Sequence, residues 1–290
     1  VVWTAPLPAD GQSRHLFVGG MRANRTRIPV WKVSSATTDA GYSFTDAAWC
    51  DTVLSWPNPG TVEFIFHSAP WTESRITVAN VTSSGKGKGC EINMAQPAWY
   101  NIRHKPAQAL GGGRPIAIEN DGVTPLEIGQ FVVDVRRRVV RLATAASADL
   151  SSSADVVMPV LEVLLRAKGL SGHTWSNVHF MHATWSQPSG PVGYVEQQSG
   201  CIHAFNGSAT KTPGNLQLDQ VSSVTFDGCS FTRLGAVAID ISGGSHGNVV
   251  SGCLFEDVSA AAVQIGGYSH WLAQSSTAAQ QDNGNSVTDC

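Results

Sequence analysis

The sequence predicts an all-β fold whose second half winds as a solenoid of stacked turns. Three observations predict it. Two stretches, SVTFDGCSFTRLGAVAIDI (223–241) and NVVSGCLFEDVSAAAVQI (248–265), repeat one pattern. Cys229 matches Cys253, Phe231 matches Phe255, Leu234 matches Val258, and Ile239 and Ile241 match Val263 and Ile265, at an offset of 253 − 229 = 24 residues. Short apolar alternations with small residues at the corners and a period in the twenties mark a solenoid, and no long apolar stripe of helical period accompanies them. Two partial copies extend the series. NVHFMHATW (177–185) places Val178 on Val224, Phe180 on Phe226 and Trp185 on Phe231, and NSVTDC (285–290) places Cys290 on Cys253. Each turn then holds two or three short strands whose alternate side chains point inward.

Taken in order, residues 1 to about 125 read as β-rich and loop-rich, with strand-length pieces at HLFVG, RIPVW, TVEFIFH and RITVANV. Trp56-Pro57-Asn58-Pro59-Gly60 and Gly111-Gly112-Gly113 are turn signals, and SGKGKG (84–89) is a flexible loop with no Walker pattern around it. FVVDV and VVRLAT flank Arg136-Arg137-Arg138 and form a hairpin, with the arginines as a solvated turn. The piece MPVLEVLLRAK (158–168) is the best candidate for a helix, starting at Pro159, and serves as a connector. The domain expectation is therefore a β-rich region over 1–170 and solenoid turns over 171–290, with enlarged loops at 186–219 and 268–283. The chain stops in mid-turn, so we expect further turns, or a neighbouring domain or chain, against its open edge.

These segments resemble the right-handed parallel β-helix proteins of carbohydrate metabolism, closest to the group around glycoside hydrolase family 141. The resemblance is carried by HLFVGGMRANRTR (15–27), FIFHSAPWTESRITV (64–78), FVVDVRRRVVRL (131–142), DVVMPVLEVLL (155–165), HATWSQPSGPVGYVEQQ (182–198), CSFTRLGAVAIDI and CLFEDVSAAAVQIGG. It covers most of the chain and implies a right-handed parallel β-helix in the C-terminal part with an N-terminal β-rich insertion-like domain. It further implies that the chain is an interior fragment of such a module, and that acidic residues on the helix surface do the chemistry on a polysaccharide or oligosaccharide.

Composition narrows the function classes. Charged residues make up 14% of the chain and the net charge is −3, without the basic stripe of a nucleic-acid binder. No apolar run approaches the roughly 20 residues of a membrane-spanning helix. Nine Trp, few Lys and the absence of a leader before Val1 suit a mature secreted or cell-surface chain, or an internal piece of one. Sequons stand at Asn24, Asn80 and Asn206, about the number that chance gives. Of six cysteines, Cys229, Cys253 and Cys290 share a solenoid column and read as stacked thiols. Cys50 and Cys90 are candidates for a disulfide in an oxidising compartment, and Cys201 stands apart. No C-x-x-C occurs, so neither a metal nor a cofactor is called for.

The chemistry-bearing candidates are acidic residues in solenoid columns. Placing Val195 over Ile239 puts Glu196 over Asp240 and Gln264 under it, all three facing outward. Two carboxylates about 5 Å apart match the spacing of a retaining glycosidase. The plainer reading is a solvated acidic column. A second column sets Arg233 against Asp257, with Thr232 on Glu256. This is either a surface ion pair or a catalytic Asp257 held by Arg233. Asp240, Asp257 and Glu196 are thus the candidate catalytic residues, and Asp227 and Asp282 stand in reserve. His182, Arg233, Tyr268 and Trp271 are the candidate substrate contacts, the aromatics because their faces suit the C–H surface of sugar rings. His179 and His182 do not make a metal pair, since positions three apart on a strand face opposite ways. The other class of function is a non-catalytic structural or carbohydrate-binding module, which dispersed or ion-paired carboxylates favour. A polysaccharide lyase would need a calcium-binding carboxylate cluster, and none is visible.

Overall fold

The computed structural model describes residues 1–8, 13–28, 35–85, 88–105, 114–148, 150, 156–198, 200–203, 209–266 and 281–290. The described chain is mostly β and falls into two compact units. One comprises 1–12, 16–156 and 186–207, and the other 13–15, 157–185 and 208–290.

The first unit is built on antiparallel pairing. Gly41–Phe44 pairs with Cys90–Met94, which pairs with the long strand Thr72–Ser83, which pairs with Glu63–Ala69, and that in turn with Ala117–Glu119. One sheet face carries the core, where Tyr42, Phe44, Phe64, Phe66 and Trp99 are fully buried and pack as tilted aromatic pairs with centroids 5.1–6.5 Å apart. Helix Ala47–Leu54 closes one side. Asp46 caps it by accepting from Trp49 N at 2.7 Å, and Ser55 ends it just before Pro57. The helix places Cys50 against Cys90, and the two form a disulfide with Cα atoms 5.5 Å apart. Gln130–Asp134 and Val139–Ala143 form the expected hairpin, with Val2–Pro6 as its outer strand.

The second unit consists of three parallel ladders that the chain visits in turn. The first ladder stacks Leu165–Lys168, Gly214–Asp219, Val237–Ser242 and Val263–Ile265. Thr174–Ser176, Thr225–Asp227, Val249–Ser251 and Ser286–Thr288 make the second. The third stacks His179–Met181, Ser230–Leu234 and Leu254–Val258. Four of the pairings expected between 223–241 and 248–265 are strand partners: Phe231 lies on Phe255, Leu234 on Val258, Ile239 on Val263 and Ile241 on Ile265. Inside, Phe180, Phe231 and Phe255 stack with centroids 5.3 and 4.8 Å apart and planes within 13° of parallel. Trp175 stacks on Phe226 beside them at 4.9 Å.

The corners have a physical signature. Asn177, Gly228, Gly252 and Asp289 occupy the same corner of successive coils, and all have φ between 55° and 60°. A left-handed residue turns the chain sharply from one ladder to the next. Glycine does this without strain, and Asn or Asp does so at modest cost.

Three expectations need correction. Phe180 pairs with Phe231 and Trp175 with Phe226, so the register expected for NVHFMHATW is five residues out. The cause is that both coils carry large aromatics five apart, at Trp175 and Phe180 and at Phe226 and Phe231, so the pattern resembles itself when slipped by one strand. Trp185 is buried but does not sit on Phe231. MPVLEVLLRAK contains no helix. It ends in the strand Leu165–Lys168, whose pairing with Gly214–Asp219 overrides the helical preference of its leucines. The coil therefore begins before residue 171, and residues 186–207 join the first unit, where Tyr194 and Val195 pair antiparallel with Arg75 and Ser74.

Candidate active site on the coil

Asp240 sits on the outward side of the first ladder, between the inward Ile239 and Ile241. Its ladder neighbours are Gln217 on one side and Gln264 on the other. Although outward-facing, it is only 7% exposed, because the segment carrying Lys211 and Thr212 lies against it. Lys211 Nζ donates to Asp240 Oδ1 at 2.5 Å and to the carbonyl of Gly266 at 2.9 Å. Gln264 Nε2 donates to the same Oδ1 at 3.3 Å and to Thr212 O at 3.2 Å. Gly214 lets the backbone come this close, for a Cβ there would stand 2.5 Å from Asp240 Cβ and 2.4 Å from Leu216 O. Oδ1 is thus doubly held, while no described residue hydrogen-bonds Oδ2.

The second candidate column runs along one edge of the third ladder. Thr232 pairs with Glu256 and Leu234 with Val258, which puts Arg233 level with Asp257 as expected. His182 joins them from the coil before, since Met181 pairs with Thr232 and His182 N donates to Thr232 O at 3.3 Å. His182, Arg233 and Asp257 all have φ between 51° and 62°. Left-handed backbone at one level of three successive coils swings these side chains out of the strand alternation and gathers three of the expected residues into one file. Asp257 is exposed, and Arg233 and His182 are half-buried. Beside the file, Thr232 is buried and its Oγ1 has no hydrogen-bond partner among the described residues.

Glu196 does not belong to either column. Gln217, not Glu196, is the ladder neighbour of Asp240. Glu196 lies in the strand Tyr194–Gln198, in an antiparallel ladder of the first unit, where its carboxylate accepts from Glu73 N and Gly200 N, both at 3.0 Å. The apparent match of Val195 to Ile239 arose because any half-buried strand shares that alternation. Of the reserve acids, Asp282 is spent on the amides of Gly244 and Ser245 at 3.1 and 2.7 Å, and Asp227 stays exposed next to Ser176. Tyr268 and Trp271 lie outside the described residues. His179 engages Ser230 Oγ at 2.5 Å, and among the described residues no three His, Cys, Asp or Glu side chains converge as a metal site.

A carboxylate pair that the sequence reading missed lies in the first unit. Glu63 and Glu119 are direct cross-strand partners. Arg25 reaches them at 2.5 and 3.8 Å, and Arg75 reaches them at 3.8 and 2.9 Å while also holding Glu73 at 2.7 Å. Ser189 donates to Glu63 as well. Burial works to lower the affinity of Arg75 for its proton, but Glu119, Glu73 and Glu63 outweigh it and raise that affinity overall. Glu63 is fully buried and faces both guanidiniums, so this cluster ties the strands together rather than opening onto a substrate.

A solved structure described as a glycoside hydrolase superposes with a TM-score of 0.81 at 18% identity, covering 99% of this chain and 55% of its own. This chain shares that protein's fold. It spans about half of that protein's length. No family model matches the chain, and no curated protein does.

Proposed function

We propose that this is an extracellular carbohydrate-active protein of the glycoside hydrolase type, with its coil a right-handed parallel β-helix of the kind seen around family 141. The observation that carries the reading is the geometry of Asp240, one carboxylate oxygen fixed by Lys211 and Gln264 and the other without a hydrogen-bond partner among the described residues. Asp257 is the second carboxylate, with Arg233 and His182 as the polar file that would hold sugar hydroxyls. Asp240 stands on the first ladder and Asp257 on the third, so the reading requires both to reach one glycosidic bond, one group protonating the departing oxygen while the other attacks the anomeric carbon or activates water. The fold shared with a glycoside hydrolase supports the reading.

A second reading is favoured by a specific observation. The ion pair of Asp240 with Lys211 is also what a structural coil would show, and then the chain binds sugar without cleaving it. Turnover on fucosyl, xylosyl and galactosyl substrates separates the two, with Asp240→Asn and Asp257→Asn as controls. The hydrolase reading expects turnover by the native chain and a loss of about a thousandfold or more in one or both variants. Binding without turnover supports the module, and turnover unchanged in both variants removes the site assignment.

A further inference from the structure

Two motifs of the first unit meet at one place. The Pro57-Asn58 turn packs against the Arg136-Arg137-Arg138 turn, and between them lies a cavity of about 260 Å³ lined by Pro57, Asp134, Arg136 and Arg137. The walls are ordered by hydrogen bonds. Asn58 Nδ2 donates to Asp134 Oδ1 at 3.0 Å, and Asn58 Oδ1 accepts from Arg136 N at 3.1 Å. Arg137 N donates to Asp134 Oδ1 at 2.9 Å, and its guanidinium reaches Asp134 Oδ2 at 3.3 Å. Asp134 is thereby engaged through both oxygens and nearly buried, so its charge is answered from within. The guanidinium of Arg136 is exposed and has no partner among the described residues, and that of Arg137 is 73% exposed.

Arg137 shares its charge with Asp134, so Arg136 supplies the uncompensated charge of a cationic rim, and such a rim on a fixed floor can receive an anion. A guanidinium presents a planar fork of donors that fits a carboxylate or sulfate through two parallel hydrogen bonds. The volume is below the roughly 300–1,000 Å³ of a site for a drug-sized ligand, so it suits one anionic group and not a whole oligosaccharide. We propose that Arg136 and Arg137 form an anion subsite that takes the carboxylate or sulfate of an acidic polysaccharide. The anion part stands on this geometry alone, and the polysaccharide part rests on the carbohydrate reading above.

Affinity electrophoresis of the whole chain in gels containing polygalacturonate, dextran sulfate or neutral dextran tests this. Retardation is expected in one or both acidic gels and not in dextran, weakening as salt is added. Arg136→Ala removes a side chain with no described partner, so the fold should survive it. It should weaken acidic binding by about tenfold, the scale of a charge-assisted hydrogen bond. Lys88→Ala, which removes the same charge from an exposed loop, should leave binding unchanged. Equal losses in the two variants, equal retardation in dextran, or tighter binding to duplex DNA than to either acidic polysaccharide would each overturn the proposal. Hydrolysis of an uncharged aryl glycoside, which needs Asp240 and not Arg136, is measured in parallel so that failure of the subsite and failure of the hydrolase reading are told apart.

Discussion

Lys211 Nζ and Asp240 Oδ1 stand 2.5 Å apart on the outer side of the first ladder, both largely withdrawn from water. Breaking such a pair by halves is costly, because losing Lys211 leaves the desolvated carboxylate with Gln264 alone, and losing Asp240 leaves the desolvated ammonium with only the Gly266 carbonyl. Lys211→Met and Asp240→Asn should each lower unfolding stability by about 1–3 kcal/mol. The double variant should lose less than the sum of the two. Urea denaturation of the four proteins checks this, and strict additivity would show that the contact contributes nothing.

The aromatic column gives a second expectation. Phe231 is fully buried between Phe180 and Phe255. Phe231→Ala should cost about 3–5 kcal/mol, because two stacked neighbours cannot both collapse into the space. Leu254, one strand along and exposed, should tolerate Ala within about 0.5 kcal/mol. Equal melting temperatures for the two variants would contradict the packing.

Asp134 predicts a pH dependence. Burial alone would raise its carboxyl pKa, but the Arg137 amide, the Asn58 side chain and the Arg137 charge together hold it below the usual carboxylate range. A carboxyl whose folded value is depressed adds stability above its unfolded value of about 3.9, and that stability is lost as the pH falls through the folded value. Asp134→Asn should therefore be less stable than the native chain at pH 7. Its stability should also fall less steeply below about pH 4. Unfolding free energies measured from pH 6 down to pH 2 decide it, and parallel curves would exclude this role.

The sequence showed part of this arrangement clearly. The stacking of Phe231 on Phe255, and of Gln264 against Asp240, was legible because two adjacent coils have equal length and carry like residues at like positions. The coil before them was not. Between Trp185 and Ser208 the chain departs to supply residues 186–207 to the first unit, so the length of that coil hides its register. Glu196 was misplaced for this reason. Arg233 against Asp257 was legible on the same grounds as Phe231 on Phe255, whereas His182 beside them was not, because it lies on the coil whose register is hidden. The Glu63 and Glu119 pair is invisible in sequence, since antiparallel partners far apart along the chain leave no shared local pattern.

Both site readings on the coil depend on residues 24 positions apart standing as vertical neighbours. Asp227 and Ser251 are such a pair, in register on the outer side of the second ladder. The most direct measurement is oxidation of Asp227→Cys/Ser251→Cys under native conditions, followed by peptide mapping. In-register parallel strands bring Cα atoms to about 4.8 Å, inside the range a disulfide spans, so the account predicts a bridge between the two introduced cysteines and little bridging in Asp227→Cys/Val249→Cys. Equal bridging in the two variants, or none in the first, would contradict it.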